Sequence, residues 1–304
     1  MTTTHATRSP SKAARWLACP GSVREEARYP DEPSGPAAAD GTHSHTLLEH
    51  CIKGNGDPLK MIGVKLKDHE GEFTVDAERA GRVRLALDYV AKQRGMLGTV
   101  VAERRVSPAY LLGRDDLDGT CDVTIVTPDE LEIIDYKDGM GEVSATDNPQ
   151  LELYALGVMA GLKLPINGAW PFATVRMTII QPKLALRGGT PISSSVVTVQ
   201  EMVGKIGKFV AGAAATDAPD APLVSGAHCK YCKHKSCATR TNDALKEVGM
   251  MFPTVSETAV TVNPVTELSQ QAADMDATTM SPEKISQIML AAPLVRQMIE
   301  AVEE

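Results

Sequence analysis

The fold of this chain is decided by the run Gly119-Thr-Cys-Asp122-Val-Thr-Ile-Val-Thr-Pro-Asp-Glu-Leu-Glu-Ile-Ile-Asp135-Tyr-Lys137. Two β-branched and apolar segments in this run are separated by Pro128-Asp-Glu130, a pattern that predicts two strands joined by a tight turn. If the strands pair antiparallel, Asp122 lies across from the end of the second strand. Asp135 and Lys137 share a face, because residues two apart on a strand point to the same side.

Two carboxylates and one ammonium at these spacings suit a site for a hard divalent cation. Mg²⁺ and Mn²⁺ prefer carboxylate and carbonyl oxygens as ligands. A lysine beside such an ion orients the attacking water and stabilises negative charge on a phosphate. The pattern therefore predicts Asp122 and Asp135 as metal ligands and Lys137 as a catalytic residue. The structural alternative is that Asp135 and Lys137 form a solvated pair at a strand end.

Two predicted helices place further polar side chains near this hairpin in the sequence. The segment Asp147-Asn-Pro149 predicts a capped helix start. In the helix that follows, Gln150 and Tyr154 share a face because they are four residues apart. Upstream, residues 30–41 are rich in proline, alanine and acid and predict an exposed loop. A second helix, capped by Asp40, is predicted at 41–53 and carries His45.

Taken in order, His45, Gly119-x-x-Asp122, Asp135-Tyr-Lys137 and Gln150-x-x-x-Tyr154 resemble the motifs of the RecB-like branch of the PD-(D/E)xK nuclease superfamily. The resemblance covers residues 41–154. It implies metal binding by His45, Asp122, Asp135 and the main-chain carbonyl of Tyr136. It also implies that Lys137 is the catalytic lysine and that Gln150 and Tyr154 position the substrate strand.

The resemblance implies a Mg²⁺- or Mn²⁺-dependent DNA exonuclease of phage or prophage type, acting in recombination, replication or end processing. Its partner would be DNA, and a phage single-strand annealing or DNA-binding protein is a further candidate. The chain has no G-x-x-x-x-G-K-S/T loop, so ATP-driven unwinding is not expected. The alternative is a non-catalytic nucleic-acid-binding or scaffold protein that retains the nuclease fold. Under that alternative the spacing of Asp122, Asp135 and Lys137 has no explanation.

Four of the six cysteines form a split pattern, with one near the N-terminus and three far downstream: Cys19, Cys229, Cys232 and Cys237. Four thiolates can bind zinc or an iron-sulfur cluster. RecB-like nucleases carry this split pattern around a 4Fe-4S cluster, so the resemblance implies these four cysteines as cluster ligands. The alternative is a zinc site of the three downstream cysteines with His228 or His234. A zinc-dependent regulatory protein, a third function class, would leave the acids unexplained.

Composition sets further limits on the class of protein. The net charge of −8 over 304 residues argues against a nonspecific nucleic-acid coat protein, although a nuclease needs only local contacts. The sequence has no apolar run long enough to cross a bilayer and no secretory signal. We therefore expect an intracellular protein in the cytoplasm of a bacterial host, with no membrane partner and no disulfides.

The order of predicted elements indicates an α/β fold. Helices are predicted near 10–18, 41–53, 77–95, 148–162 and 200–215, and strands at 99–106, 119–137 (the hairpin), 172–181 and 194–199. This order predicts a restriction-endonuclease-like core with a central mixed β-sheet flanked by helices, plus a cysteine-cluster cap. Residues 1–250 are predicted to form the nuclease domain, with its two ends joined by the iron-sulfur cluster. Residues 251–304 are predicted to be a linker and a helical C-terminal appendage.

Overall fold

The computed structural model describes residues 6–31 and 33–240, together with residues 281, 282, 289 and 292. The chain divides into two units. The first unit comprises Met1–Val23 and Pro30–Ala221, and the second comprises Arg24–Tyr29 and Pro222–Glu304. The predicted boundary at residue 250 and, apart from those four residues, the predicted appendage 251–304 lie outside the described residues. Among the residues described, no helix is long and apolar enough to span a membrane.

The described helices and strands follow the α/β order that the sequence predicts. The α-helices are α1 Ala13–Ala18, α2 Ser22–Glu26, α3 Pro36–Gly54, α4 Ala77–Arg94, α5 Ala109–Leu112, α6 Pro149–Gly161, α7 Val199–Gly204 and α8 Ile206–Ala215. The strands are β1 Lys65–Lys67, β2 Glu72–Thr74, β3 Thr99–Val106, β4 Gly119–Val126, β5 Glu130–Tyr136, β6 Thr174–Ile180 and β7 Ile192–Thr198. Short 3₁₀ helices cover Pro10–Lys12, Pro58–Met61, Pro182–Arg187 and Ala227–Tyr231.

The central sheet is five-stranded and mixed, with strand order β3-β4-β5-β6-β7. β5 and β6 are parallel, and the other neighbours are antiparallel. Helix α6 supplies the crossover that a parallel pair requires. A mixed α/β fold with helices flanking a mixed sheet is therefore confirmed.

The predicted hairpin is formed by β4 and β5. Val123 pairs with Ile134 and Val126 with Leu131. The turn closes through a hydrogen bond from Thr127 N to Glu130 O at 2.9 Å. The alternation of β-branched residues and the Pro-Asp turn thus sets both the strands and their register.

One hydrophobic core lies on each face of the sheet. The first core contains α6 and one side of β5 and β6, including Leu131, Ile133 and Met177. The second core contains α3, α4 and the other side of the sheet, including Ile134 and Tyr136. Because α6 is buried from Leu151 to Ala160, it lies against the sheet along most of its length.

The structure differs from the predicted elements at several points. The loop predicted over 30–41 becomes helical at Pro36, because Gly35 takes the N-cap position and proline is favoured in the first turn. Asp40 is therefore inside α3 rather than its cap. The helix predicted at 200–215 is divided at Lys205 into α7 and α8. The small β1–β2 hairpin was not predicted, because its two strands are three residues each and half of these residues are charged.

Candidate active site

All the candidate active-site residues of the RecB-like motifs meet at one edge of the sheet. This is the edge where β5 and β6 have their carboxyl ends, which is where open α/β sheets most often bind ligands. The edge receives Asp135 and Lys137 from β5, the first turn of α6 with Gln150, and His45 from α3.

Three acidic residues lie opposite one another on the neighbouring strands β3, β4 and β5. The β3–β4 ladder pairs Ala102 with Val123 and Arg104 with Cys121, so Glu103 lies across from Asp122. One step beyond the last β4–β5 pair, Asp122 lies across from Asp135. We call Glu103, Asp122 and Asp135, with His45 and Lys137, the acid cluster.

The backbone is irregular around Glu103 and Asp122. Glu103 has a φ of 49°, in the left-handed region that non-glycine residues seldom occupy. Cys121 packs in the core with α6 and Val123 in the core with α4, although residues two apart on a strand ordinarily share a face. Strand alternation therefore breaks at Asp122. Such local strain is tolerated where the surrounding fold enforces it, most often at functional sites.

His45 and Asp122 are fixed by contacts with Tyr136. The Tyr136 amide N–H donates to Asp122 Oδ2 at 2.7 Å, which leaves Oδ1 turned towards His45, 3.5 Å from its Nδ1. The His45 ring meets the Tyr136 ring edge-on, with ring centroids 5.4 Å apart. Ligand atoms of His45, Glu103 and Asp122 all lie within 4.8 Å of one another. Ligands of one octahedral Mg²⁺ ion, each about 2.1 Å from it, lie about 3–4 Å apart, so this group fits a divalent cation.

Lys137 is held between Asp135 and Gln150. Its Nζ lies 2.8 Å from Asp135 Oδ2 and donates to Gln150 Oε1 at 3.2 Å. Gln150 Nε2 in turn donates to Asp135 Oδ1 at 2.8 Å and approaches the Tyr154 hydroxyl at 3.3 Å. The amide of Gln150 thus bridges the acid and the lysine of the Asp135-Tyr-Lys137 motif.

Burial is the largest cause of the raised carboxyl pKa values in this cluster, and a surplus of negative charge adds to it. Burial raises the pKa of Glu103 to about 7, and Asp122 adds to the rise. Burial also raises the pKa of Asp135, and repulsion from Asp122 adds to that rise. Burial alone would lower the pKa of Lys137, but the charges of Asp135 and Asp122 raise it above its usual value. The pKa values of acid and lysine therefore rise together, that of Asp135 chiefly through burial and that of Lys137 through the neighbouring carboxylates. A bound cation would relieve the surplus of negative charge.

Tyr154 is buried, and its ring packs closely against Gly119 of the Gly119-x-x-Asp122 motif. A Cβ at Gly119 would lie 2.8 Å from Pro10 Cδ and 3.2 Å from Tyr154 Cε1, so only glycine allows this approach. Gly157, one turn further along α6, lies against Val106 in the same way. Burial raises the pKa of Tyr154 well above its usual range, with Asp135 adding to the rise. Its hydroxyl therefore stays protonated.

A second set of charges, which we call the ion network, lies directly beside the acid cluster. It consists of Asp40, Asp138, Arg79, Arg82 and Lys183. Asp138 follows Lys137 in sequence, and its side chain is 1% exposed. Its carboxylate meets Arg82 Nε at 3.0 Å and accepts hydrogen bonds from the hydroxyls of Ser44 at 2.9 Å and Tyr136 at 3.2 Å. The network thereby ties α3 and α4 to the end of β5.

The structure brings together the residues that the motifs single out, and it adds one. His45, Asp122, Asp135, Lys137, Gln150 and Tyr154 are joined by the contacts above. Glu103 was missed from the sequence, because its position depends on the β3–β4 register. The intervening segment 107–118 is no tight turn that would set this register, so no local signal identifies Glu103.

The predicted iron-sulfur ligands are divided between the units. Cys19 belongs to the first unit and is buried, whereas Cys229, Cys232 and Cys237 belong to the second and are half-buried. The four-thiolate site therefore stays a prediction. Both histidines of the zinc alternative have other contacts. His228 Nε2 lies 2.9 Å from Val224 O, and His234 stacks on Tyr29. Cys121, outside this cysteine pattern, is fully buried.

Two comparisons with known proteins give matches. The family model DUF2800, described as "Protein of unknown function (DUF2800)", matches residues 5–304. A solved structure described as "Crystal structure of SSO0001" matches with 14% sequence identity and a TM-score of 0.34, over 79% of this chain and 89% of that chain. At this TM-score the likeness carries no inference about fold or function.

Proposed function

The chain belongs to the DUF2800 family, and we propose that it is a metal-dependent deoxyribonuclease that hydrolyses phosphodiester bonds of DNA. One observation carries the proposal. Ligand atoms of His45, Glu103 and Asp122 lie within 4.8 Å of one another. They lie directly beside the ion pair of Asp135 and Lys137. A binding module has no use for three carboxylates facing a phosphate, because they would repel it.

The cation would be held by His45, Glu103, Asp122, Asp135 and the main-chain carbonyl of Tyr136. When bound, Mg²⁺ or Mn²⁺ would supply Lewis-acid activation of a water molecule and neutralise charge on the scissile phosphate. The Tyr136 amide fixes one Asp122 oxygen, so its carboxylate is oriented before any ion arrives. Asp135 is held in the same way by Gln150 and Lys137.

Lys137 would act as a cation rather than as a base. Its pKa is raised by Asp135 and Asp122, so the side chain is an ammonium at neutral pH. The ammonium stabilises the negative charge that develops on the phosphate. It is 31% exposed, so a substrate can reach it while Asp135 stays buried.

The finer parts of the proposal rest on the resemblance to RecB-like nucleases. They are a restriction-endonuclease-like core, exonuclease action on DNA ends, and a role in phage recombination, replication or end processing. Gln150 and Tyr154 would then contact the substrate strand as well as Asp135 and Lys137. Gln150 lies in the first turn of α6, and this position favours an anionic ligand because amide N–H groups at a helix start attract phosphate.

Digestion of end-labelled linear and closed circular DNA with Mg²⁺ or Mn²⁺ tests the proposal. We expect metal-dependent digestion of linear DNA and resistance of the circle. Asp135→Asn should abolish digestion. The matched control is Glu130→Gln on the same strand, an acid paired with Arg176 at the opposite end of β5, which should digest DNA like the native protein.

Equal digestion by the native protein and Asp135→Asn would assign the activity to a contaminant and refute the proposal. Cleavage of circular DNA would refute only the exonuclease part. DNA binding without cleavage in either metal would support the non-catalytic alternative.

We also propose that Cys19, Cys229, Cys232 and Cys237 bind a 4Fe-4S cluster. Protein purified without oxygen should be brown and contain iron, whereas zinc is colourless. Cys19→Ala should lose the iron and lower the melting temperature, because metal binding is partly folding energy. Cys51→Ala, at a buried cysteine of α3 outside this pattern, is the control and should keep the iron. Stoichiometric zinc that Cys19→Ala retains would refute the cluster in favour of the local zinc site.

A further inference from the structure

The loop 138–147 connects the two halves of the proposed active site. Lys137 lies directly before it at the end of β5, and Gln150 lies just after it in the first turn of α6. These two side chains meet in a hydrogen bond of 3.2 Å, so the loop begins and ends at the same point of the site. The conformation of the loop therefore bears on how these two side chains meet.

This loop has little backbone structure of its own. Among the residues that the structure describes, no backbone–backbone hydrogen bond involves residues 138–147. Ser144 makes only local hydrogen bonds, to Thr146 and Asn148. At the start of the loop, the Asp138 side chain is held by the ion network. The conformation of the loop backbone must be imposed from outside.

Gln181 imposes it. This residue follows β6 and is 2% exposed. Its Nε2 donates to Gly141 O at 2.7 Å and Gly139 O at 3.3 Å, and its Oε1 accepts from Val143 N at 2.9 Å. One amide side chain thus satisfies three backbone groups of the loop.

Gln181 is itself held firmly. Its backbone N–H donates to Pro191 O at 2.6 Å, and its carbonyl accepts from Leu184 N at 3.1 Å. The preceding residue, Ile180, accepts from Lys137 N at 2.8 Å. The end of β6 therefore fixes both the Lys137 backbone and, through the Gln181 side chain, the middle of the loop.

We propose that Gln181 is a positioning residue that locks the loop 138–147 and so sets the placement of Lys137 and Gln150 against Asp135. The proposal rests on the proposed nuclease function for its effect on rate, but not for its effect on the loop. A displacement of about 1 Å in a catalytic group can lower a rate about a hundredfold. A merely structural glutamine would instead change stability and leave turnover unchanged.

Gln181→Leu is the first test, with Thr178→Val as the matched control. Thr178 is a fully buried polar residue three positions earlier on β6, and its hydroxyl donates to Glu132 at 2.7 Å, away from the loop. At a temperature where both variants are folded, we expect kcat of Gln181→Leu to fall about 10- to 100-fold with KM nearly unchanged. Thr178→Val should keep the native kcat. Equal kcat values for Gln181→Leu and the native protein would overturn the proposal.

Gln181→Glu gives a second test that a structural role would not pass. At about pH 8 the new carboxylate keeps an acceptor for Val143 and lacks both donors to the glycine carbonyls. Protonation at about pH 6 returns one donor, and burial beside carbonyl oxygens favours the protonated form. The kcat of this variant relative to the native protein should therefore rise as the pH falls. For Gln181→Leu that ratio should be independent of pH, and a flat ratio for both variants would contradict the proposal.

Hydrogen exchange separates failure of this proposal from failure of the nuclease function. Peptides spanning 138–150 should exchange faster in Gln181→Leu than in the native protein and Thr178→Val, whether or not the protein cleaves DNA. Native exchange rates in that segment would refute the positioning role. Faster exchange in a protein that cleaves no DNA would refute the nuclease function and keep Gln181 as the anchor of the loop.

Discussion

Two charged groups lie side by side at one edge of the sheet, and they differ in whether cations compensate the charge of their carboxylates. In the ion network, two acids meet three cations, Arg79, Arg82 and Lys183. In the acid cluster, three acids meet one lysine and one histidine. The same residue types thus produce one group with compensated charge and one with surplus negative charge.

The pKa values express this difference. Burial works against ionisation of Asp40, yet hydrogen bonds from Lys183 and Arg79 hold the pKa of Asp40 at about 2. Burial raises the pKa of Glu103 to about 7, and Asp122 pushes it in the same direction. A neutralised network stabilises a fold. Uncompensated buried carboxylates destabilise it until a cation arrives, as expected of a metal site.

The largest expected difference between the two groups comes from removing one charge from each. Asp135→Asn should lower kcat at least about a thousandfold, equivalent to about 4 kcal/mol, and leave the free energy of unfolding nearly unchanged because it relieves repulsion. Asp138→Asn should instead lower the free energy of unfolding by about 3 kcal/mol, because Arg82 and Lys183 lose a buried partner. Denaturant unfolding and single-turnover cleavage measure the two effects. A large stability loss in Asp135→Asn would show that Asp135 and Lys137 are a structural ion pair.

The free energy of unfolding should depend on pH in opposite directions for Glu103 of the acid cluster and Asp40 of the ion network. Because the pKa of Glu103 is raised to about 7 in the folded protein, its contribution is fully present below its unfolded value and is lost as the pH rises through 7. Asp40 behaves oppositely, since its stabilisation is present above its unfolded value and is lost as the pH falls towards 2. The loss from Glu103 should be about 2 kcal/mol after allowance for solvent screening.

Mn²⁺ should restore the stability that is lost when Glu103 ionises at high pH. It should not restore the stability that is lost when Asp40 is protonated at low pH. The rise in melting temperature with Mn²⁺ should grow between about pH 5 and pH 8, because the ion binds the ionised carboxylates. Glu103→Gln should reduce this rise, and Asp40→Asn should retain it. A Mn²⁺ effect that is independent of pH in the native protein would remove Glu103 from the proposed ligand set.

The sequence predicts most of the acid cluster, but its residues follow from different kinds of signal. Asp122, Asp135 and Lys137 follow from strand spacing and a tight turn, because side chains on a hairpin alternate with a fixed period. His45 enters only through the resemblance to a known family. No local pattern connects it to the hairpin, since its helix reaches the site by tertiary packing.

Glu103 and Gln181 could not be predicted from the sequence. The position of Glu103 depends on a strand register that no tight turn fixes, and its φ of 49° lies in a region that non-glycine residues seldom occupy. Gln181 contacts a loop 38 to 42 positions away in the chain. The start of α3 at Pro36 could have been predicted from the sequence, because proline followed by three alanines favours a first helical turn. The composition of the preceding segment indicated a loop instead.

The last comparison uses a matched pair of tyrosines, one beside each group. The Tyr154 hydroxyl accepts from Gln150 beside the acid cluster, whereas the Tyr136 hydroxyl donates to Asp138 of the ion network. Tyr154→Phe should raise the barrier to cleavage by about 1–3 kcal/mol if that hydroxyl contacts the phosphate or the attacking water, with little change in melting temperature. Tyr136→Phe keeps the ring against His45 and should lower stability by about 1–2 kcal/mol, because a buried carboxylate loses a donor. Its kcat should be nearly native. A fall in stability with native kcat in Tyr154→Phe would place Tyr154 in the core and remove it from the proposed substrate contacts, because its hydroxyl would then contribute only packing and hydrogen bonding within the fold.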